Sequence, residues 1–461
     1  MIINIILSLV SGCLLSLAFP KANLFWLAWL ALIPFFIALY RAEKLKELLV
    51  SGLSFGLIFF GIHLFWIMTL YRFVQMWIVL GWISLVLFQT LFILIFVSTL
   101  RFFHSRIIAN AFVLALLWTA IEWLRAWGPF GVTGGDLGYS QVQFLPLIQI
   151  AAFASVYGVS FLVVFFNASA AMFMFDKRKW RSLAVSLVLI VVATTYGEYV
   201  LNVSSRVPRP PSRSMKLALL QPNIDQKDKI NPFMVIPIFK IHEEMSQQAM
   251  QDKPDVIVWP ETAIFSYVLH DRHLSKRIKD LAQKTNAWLV FGTPHYVGDK
   301  AYNSVVSISP TGEVVSRYDK QHLVPFGEYL PFKPLLYPFL KRVGYYEAAF
   351  NSNPTPQPLK VGDLNVATAV CFESTFPYTI RKRVKNGSDF ILLVTNDSWF
   401  DDSSALYFHL NTGVFRAIEN RKYFIQVGNT GITAVIDPYG RILQKTRTNE
   451  QDILTFEIPL S

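Results

Sequence analysis

Runs of apolar residues fill most of the first 200 positions, near 2–19, 24–40, 48–70, 76–100, 107–124, 145–174 and 182–200. A helix crossing the ~30 Å hydrocarbon layer of a bilayer needs roughly 20 largely apolar residues. The pattern therefore predicts a membrane domain of about seven transmembrane helices over residues 1–202. The first two runs are short, and Pro20 with Lys21 marks a turn between them. The first run is not expected to be a cleaved signal peptide: it has no basic leading region and no small-residue cleavage site, and a second span follows at once. Residues 203–214, VSSRVPRPPSRS, have no apolar period and read as an extended linker.

Beyond the linker the period changes. Short β-branched runs alternate with polar helical stretches, the signature of a layered α/β domain over residues 215–461. Strands are predicted at MKLALLQPNI, PDVIVWPE, AWLVFGTP, YNSVVSIS, EVVSRYDK, LNVATAVCF, DFILLVTND and FIQVGNTGITAVI. Helices are predicted near 234–250, 271–286, 376–386 and 404–421, and no repeat of 20–50 residues is visible.

Composition agrees with this division. The chain has 461 residues, 53% apolar and 16% charged, whereas soluble domains carry about 25% charged residues. That excludes a wholly soluble protein, a disordered one and a disulfide scaffold. Cys13 and Cys371 are the two cysteines, and with Cys13 inside an apolar run no disulfide is expected. Residues 1–214 carry 15 Lys and Arg against 6 Asp and Glu, a net +9, and the remainder carries only +2. The basic excess belongs to the membrane half, and no basic face with interleaved aromatics points to nucleic acid.

The same charges orient the chain. Arg41, Lys44, Lys46, Arg101, Arg106, Lys177, Arg178, Lys179 and Arg181 fall in one set of loops, and Lys21, Arg72 and Arg125 in the other. The positive-inside rule puts the first set in the cytoplasm, so seven crossings deliver the polar domain to the outer face. Within the spans, Glu122 and Arg125 are spaced to pair with each other or to line a cavity, the ion pair being the simpler reading. His63 reads as a packing histidine. The eight histidines are scattered and suggest no metal site.

Chemistry in α/β sheets collects where strands end. Glu261 follows the strand VIVWP, Lys320 closes VVSRYDK, and Cys371 ends NVATAV and is followed by Phe372 and Glu373. Singly, a cysteine is most often a small buried hydrophobe, a lysine a solvated charge, and a glutamate after Trp-Pro a first-turn charge of a helix. Together they supply a nucleophile, a base and a cation.

WPET at 259–262, YDKQHLVPFGEYLP at 318–331, VCFES at 370–374 and TNDSWF at 395–400 resemble the Glu–Lys–Cys motifs of the nitrilase superfamily. Their spelling, with a seven-span membrane part ahead, is similar to the apolipoprotein N-acyltransferase family. LAFP at 17–20, LGYSQ at 137–141, Asn167 and RAIENRKYFIQVGNTGITAVIDPYG at 416–440 extend the resemblance over most of the chain.

The resemblance implies an αββα sandwich for residues 215–461, on the periplasmic face of a bacterial inner membrane. It implies Cys371 as the nucleophile that takes an acyl chain from a phospholipid as a thioester, and Glu261 as the base for the thiol and then for the incoming amine. Lys320, with the N–H after Cys371, would stabilise the oxyanion. Glu328 would orient Lys320 or the amine. Glu373, Phe372 and Trp399 would support the site or bind substrate. The acceptor would be the N-terminal amine of a diacylglyceryl-cysteine apolipoprotein, with no cofactor and no metal. Apolar residues in 332–350, such as Leu335, Leu336, Phe339, Tyr345 and Tyr346, form either a lid touching lipid or ordinary packing.

Four features depart from the family pattern. The family leads one to expect a further membrane helix after the catalytic domain, where this sequence ends EIPLS; Asp401 stands at a usual glycine, and Ile230 at a frequent aromatic. The loop GVTGGD at 131–136 lacks an aromatic–Pro–Trp cluster. A membrane-anchored nitrilase-type amidase, with water as the acceptor, is the alternative reading. A non-catalytic scaffold or transporter is a third, and it leaves the three strand-exit residues unexplained.

Overall fold

The structure is a computed structural model that describes residues 1–102, 110–206, 213–343, 350–355 and 357–460. The chain divides into two compact units, residues 1–208 with 403–411, and residues 209–402 with 412–461.

The first unit is helical. Its longer helices are α1 (Ile2–Leu17), α2 (Ile33–Arg41), α3 (Leu45–His63), α4 (Met76–Phe102), α5 (Ala111–Arg125), α6 (Ala151–Phe175) and α7 (Trp180–Arg206). Four helices among the described residues are long and apolar enough to cross a membrane: Leu45–His63, Met76–Arg101, Ala151–Phe175 and Lys177–Ser205. The other apolar runs are shorter or broken. The run at 24–40 divides into a 3-10 turn Phe25–Leu27, a short helix Ala28–Ala31 and α2. Pro34 at the start of α2 has no N–H to continue the ladder. Asn167 on α6 closes the break: its Oδ1 accepts from Leu32 N at 3.0 Å, and its Nδ2 donates to Ala28 O at 2.9 Å. Apolar surroundings make such compensation obligatory, because an unpaired backbone group there costs several kcal/mol, on the order of its desolvation.

The run at 48–70 ends its α-helix at His63 and continues as the 3-10 turn Phe65–Leu70. His63 lies against the rings of Phe19 and Phe59, with centroids 4.5 and 5.5 Å away. Arg125 forms its ion pair with Asp136, both buried. Glu122 instead accepts from Trp118 Nε1 at 2.9 Å and from Leu137 N at 3.0 Å. The expected Glu122–Arg125 pair is thus replaced by the Arg125–Asp136 ion pair and the Leu137–Glu122 hydrogen bond, which tie the loop after α5 back onto that helix. Sequence spacing within a helix could not reveal a partner that arrives from the loop.

The second unit is built on two six-stranded sheets. One has the order β12–β1–β2–β3–β4–β5, the other β11–β10–β9–β8–β7–β6. The strands are β1 (Arg213–Gln221), β2 (Val256–Val258), β3 (Trp288–Val297), β4 (Lys300–Ile308), β5 (Val314–Asp319), β6 (Leu359–Val361), β7 (Leu364–Val370), β8 (Phe390–Thr395), β9 (Phe424–Gly428), β10 (Ala434–Ile436), β11 (Ile442–Lys445) and β12 (Asp452–Leu460). Strands β1, β2 and β3 are parallel, as are β7, β8 and β9.

The period-2 alternation of strand side chains makes the layers. Leu217, Leu219, Val256 and Val258 from the first sheet share one core with Val366, Val370, Leu392 and Val394 from the second. The intervening residues Ala218, Leu220 and Ile257 face the other way. They pack with Ile238, Phe239 and Met245 of α8 (Val235–Ala249) and with Leu274, Ile278 and Leu281 of α9 (Arg272–Thr285). On the second sheet, α10 (Pro377–Lys385) packs on β7 and β8. This is the layered α/β arrangement that the periodicity and the resemblance predict. Of the extended linker expected at 203–214, residues 203–206 continue α7 and 213–214 open β1, because the helix and the strand ladder each run past the end of their apolar period; residues 207–212 lie outside the described residues.

Candidate active site

The sheet topology brings the expected residues to one end. β4 reverses the direction of β3 and β5 reverses it again, so Lys320, directly after β5, emerges at the same end as Glu261 after β2. Cys371 directly follows β7, and Asn396 directly follows β8, at the corresponding ends of the second sheet. Among the hydrogen bonds that join the two, Asn396 N donates to Glu261 Oε2 at 2.9 Å.

Glu261 sits in a turn held by β3. Trp259 N donates to Val290 O at 2.8 Å, Gly292 N to Pro260 O at 3.2 Å and Ala263 N to Gly292 O at 2.9 Å. A Cβ on Gly292 would lie 2.7 Å from Glu261 Cα, so glycine alone lets the turn approach this closely. The Glu261 carboxylate accepts from Asn303 Nδ2 at 2.8 Å, and Lys320 Nζ lies 3.8 Å from its Oε1. Burial pushes its carboxyl up. Lys320 pulls it down, Glu328 pushes it up again, and Asn303 and Lys229 lower it, with a net rise above the ordinary carboxylate range.

Lys320 is buried, and Nζ meets Glu328 Oε1 at 3.0 Å and Oε2 at 2.9 Å. Burial would lower its pKa, but Glu328, Glu261 and Cys371 in turn raise it, and it ends above its ordinary value. The ammonium therefore stays charged. Glu328 is fixed by Asn303 Nδ2 at 2.8 Å and Val324 N at 2.9 Å. Asn303 thus bridges the two carboxylates that flank Lys320.

Cys371 has φ 50°, in the left-handed region that non-glycine residues rarely occupy. The 3-10 turn Cys371–Thr375 that it opens is folded back by Glu373. Burial pushes the Cys371 thiol up, Glu261 adds to that, Lys320 opposes it, Asp397 raises it and a bond from Thr395 lowers it. The thiol ends well above its ordinary value. These surroundings favour the thiol over the thiolate.

Glu373 is wholly buried and accepts five donors. They are Tyr318 Oη at 2.7 Å, Gln321 N at 2.8 Å, His322 N at 2.9 Å, Val370 N at 2.9 Å and Arg383 Nη2 at 2.8 Å. It ties the chain before Cys371 to the chain after Lys320. Burial would raise its carboxyl, but Arg383 and then Lys320 hold it below the usual carboxylate range. Phe372 packs against the rings of Phe376 and His322, 5.0 and 5.8 Å away. Trp399 ends the 3-10 turn Asp397–Trp399 and is half-buried. Leu335 and Phe339 are exposed, and Tyr345 and Tyr346 lie outside the described residues.

Asn303, Asn396 and Lys229 join this group without having been picked out from the sequence. For Asn303 and Asn396 a signal existed: each is a polar residue at the chemistry end of an apolar strand. Lys229 carries none, because it stands in the polar run QKDK.

Residues 216–461 match the carbon-nitrogen hydrolase family, and residues 11–169 match the apolipoprotein N-acyltransferase N-terminal domain. The apolipoprotein N-acyltransferase of Geobacter metallireducens is 35% identical over 99% of this chain and 89% of that protein. That of Thermotoga maritima is 32% identical over 96% of this chain and 85% of its own length. Among solved structures, a variant of the Nesterenkonia amidase from the nitrilase superfamily aligns over 55% of this chain and 93% of that one, at 19% identity and a TM-score of 0.42.

Proposed function

The chain belongs to the apolipoprotein N-acyltransferase family, and from that premise we propose that it moves one acyl chain from a membrane phospholipid, through a thioester on Cys371, to the N-terminal amine of a diacylglyceryl-cysteine apolipoprotein. It is a membrane protein with N-acyltransferase activity. The observation that carries the proposed chemistry is the buried charge arrangement around Lys320, set between Glu261 and Glu328 and facing Cys371.

A neutral thiol calls for a base acting during attack. As Cys371 Sγ bonds to the ester carbonyl carbon, its proton passes to Glu261, whose raised carboxyl suits both accepting and returning it. The Lys320 ammonium and the Phe372 N–H face the developing oxyanion. Collapse expels the glycerol oxygen, which takes the proton from Glu261 and leaves as lysophospholipid. The acceptor amine then attacks the thioester carbonyl, Glu261 removes its proton, and that proton returns to the departing sulfur. Amide forms, thioester breaks, and the thiol is restored. Glu328 orients Lys320, Glu373 holds the two backbone segments, and Trp399 supports the site or binds substrate.

If the chain crosses seven times, the positive-inside count favours an outer-facing catalytic unit, and family membership makes that face the periplasmic side of a bacterial inner membrane. The close relatives and the apolar helical unit favour a lipid substrate over the amidase alternative, since a small soluble amide needs no membrane helices.

Intact-protein mass spectrometry of the full chain with phospholipid and no acceptor tests this. A hydroxylamine-sensitive gain of one acyl chain is expected, absent in Cys371→Ala, and discharged onto a diacylglyceryl-cysteine peptide when that is added. Turnover of an amide by water with no acyl adduct from phospholipid would reject it.

A further inference from the structure

The six residues 225–230 brace Glu261 from two directions. Their single helical turn, Gln226–Lys229, is capped by Asp225, whose carboxylate accepts from Lys227 N at 2.8 Å. At its start, Gln226 Oε1 accepts from Asn396 Nδ2 at 2.8 Å and from Ser398 Oγ at 2.9 Å. Asn396 is the residue whose main-chain N–H holds Glu261 Oε2. At its end, Lys229 Nζ donates to the main-chain carbonyl of Glu261 at 3.1 Å. Gln226 and Lys229 are each 2% exposed.

A buried ammonium is expensive unless a charge answers it. Among the described residues, Lys229 has no carboxylate within salt-bridge distance, and its side-chain hydrogen bond goes to that one carbonyl. A lysine serving only the fold would extend its stem and leave the ammonium in water. Here the charge is instead spent next to the base. Burial pulls the Lys229 pKa down to about 7, and Glu261 pushes it back up in part.

We propose that Lys229 is a positioning residue for the base, holding the Glu261 main chain in its turn and keeping the adjacent carboxylate ionised and aimed at the thiol. The inference rests on the reading of Glu261 as the base. It makes Lys229 a second cation with a task separate from that of Lys320. Lys320 answers charge that develops on the substrate, whereas Lys229 answers the charge that Glu261 must carry before the reaction begins.

The charged and titratable groups facing Glu261 are Lys320, Glu328, Lys229 and Cys371. Those facing Lys229 are Glu261 and, from α8, His242, which burial holds down at about 4 and therefore neutral. Without the Lys229 charge the Glu261 carboxyl rises further, so fewer molecules hold it ionised at a given pH. The acid limb of the acylation rate then moves to higher pH, by about one unit for an opposite charge at close range. Lys229 itself loses its proton around pH 7, so the two curves converge above neutrality.

The test measures the rate of acyl-enzyme formation by intact mass against pH, on the full chain in detergent with phospholipid. Lys229→Met is expected to acylate up to about tenfold more slowly on the acid limb, below the Lys229 pKa of about 7, and to recover in alkali. Lys229→Gln, a smaller disturbance should the first variant fold poorly, is expected to show the same displacement. Lys229→Arg should lie near the wild-type curve. A rate lowered equally at every pH, or an unmoved profile in both neutral variants, would overturn the proposal. Glu261→Gln, run alongside, should not acylate at any pH. If it acylates at the wild-type rate, the base assignment itself fails, whatever the Lys229 variants do.

Discussion

Cys371 adopts φ 50° at the end of a buried strand, a conformation that costs about 1–3 kcal/mol when surroundings impose it. Glu373 holds the backbone next to it. Its carboxylate draws Val370 N, Gln321 N and His322 N together and takes a buried ion pair from Arg383. Replacing Glu373 by Gln leaves Arg383 buried without its countercharge, a loss of about 3 kcal/mol or more. Because the folded carboxyl titrates below the unfolded one, its contribution is complete above the ordinary carboxylate value of ~4.3. It is lost as pH falls through the depressed folded value. Denaturation of wild type and Glu373→Gln in detergent should therefore show a constant gap towards neutral pH that closes in acid. A gap that widens in acid would contradict the assignment.

At the scale of elements, the site depends on how near β3 comes to the turn after β2. Gly292 donates to Pro260 O and accepts from Ala263 N, and an added methyl would meet Glu261 Cα, Thr262 N and Pro260 O at 2.7 to 2.8 Å. All three are backbone atoms on the turn that carries the base. Gly292→Ala should thus displace Glu261 and destabilise the unit by about 1–3 kcal/mol. Acylation by phospholipid should fall well beyond what that loss of folded protein accounts for, at least tenfold. A variant with a lower melting point but an unchanged rate per folded molecule would show that the turn tolerates the shift. The helices follow a similar logic. Leu32 and Pro34 interrupt one apolar run, and Asn167 from α6 repairs it. The residue and its partner lie 135 positions apart, so the hydropathy profile registered the apolar run but not the break.

For the whole molecule, the proposed orientation makes a direct prediction. A cysteine placed in the basic loop at Lys179 should react with an impermeant thiol reagent only after the membrane is opened. One placed at the exposed Lys276 of α9 should react from outside the cell. The opposite pattern would invert the topology. Local signals made much of this protein legible. Runs of apolar residues announce a bilayer because bilayer thickness fixes their length. Alternation of period two announces layered sheets, and Glu261, Lys320 and Cys371 stand out as reactive residues ending apolar strands. Asn303 and Asn396 carry the same strand-end signal, but their partners were not legible, and Lys229 carries no signal at all. Asn303 bridges two carboxylates only because β4 reverses beside β5, and Asn396 reaches Glu261 only because two sheets stack. Lys229 reads as solvated in QKDK and becomes buried only when its turn packs beneath the base. Similarly, Arg125 finds Asp136 rather than Glu122 once the loop after α5 folds back. Periodicity and chain order are properties of the sequence by itself, because they arise from neighbours a few residues apart. The partners of a buried charge are settled by the tertiary structure, because burial makes each such charge take whatever group the packing of distant segments brings within reach.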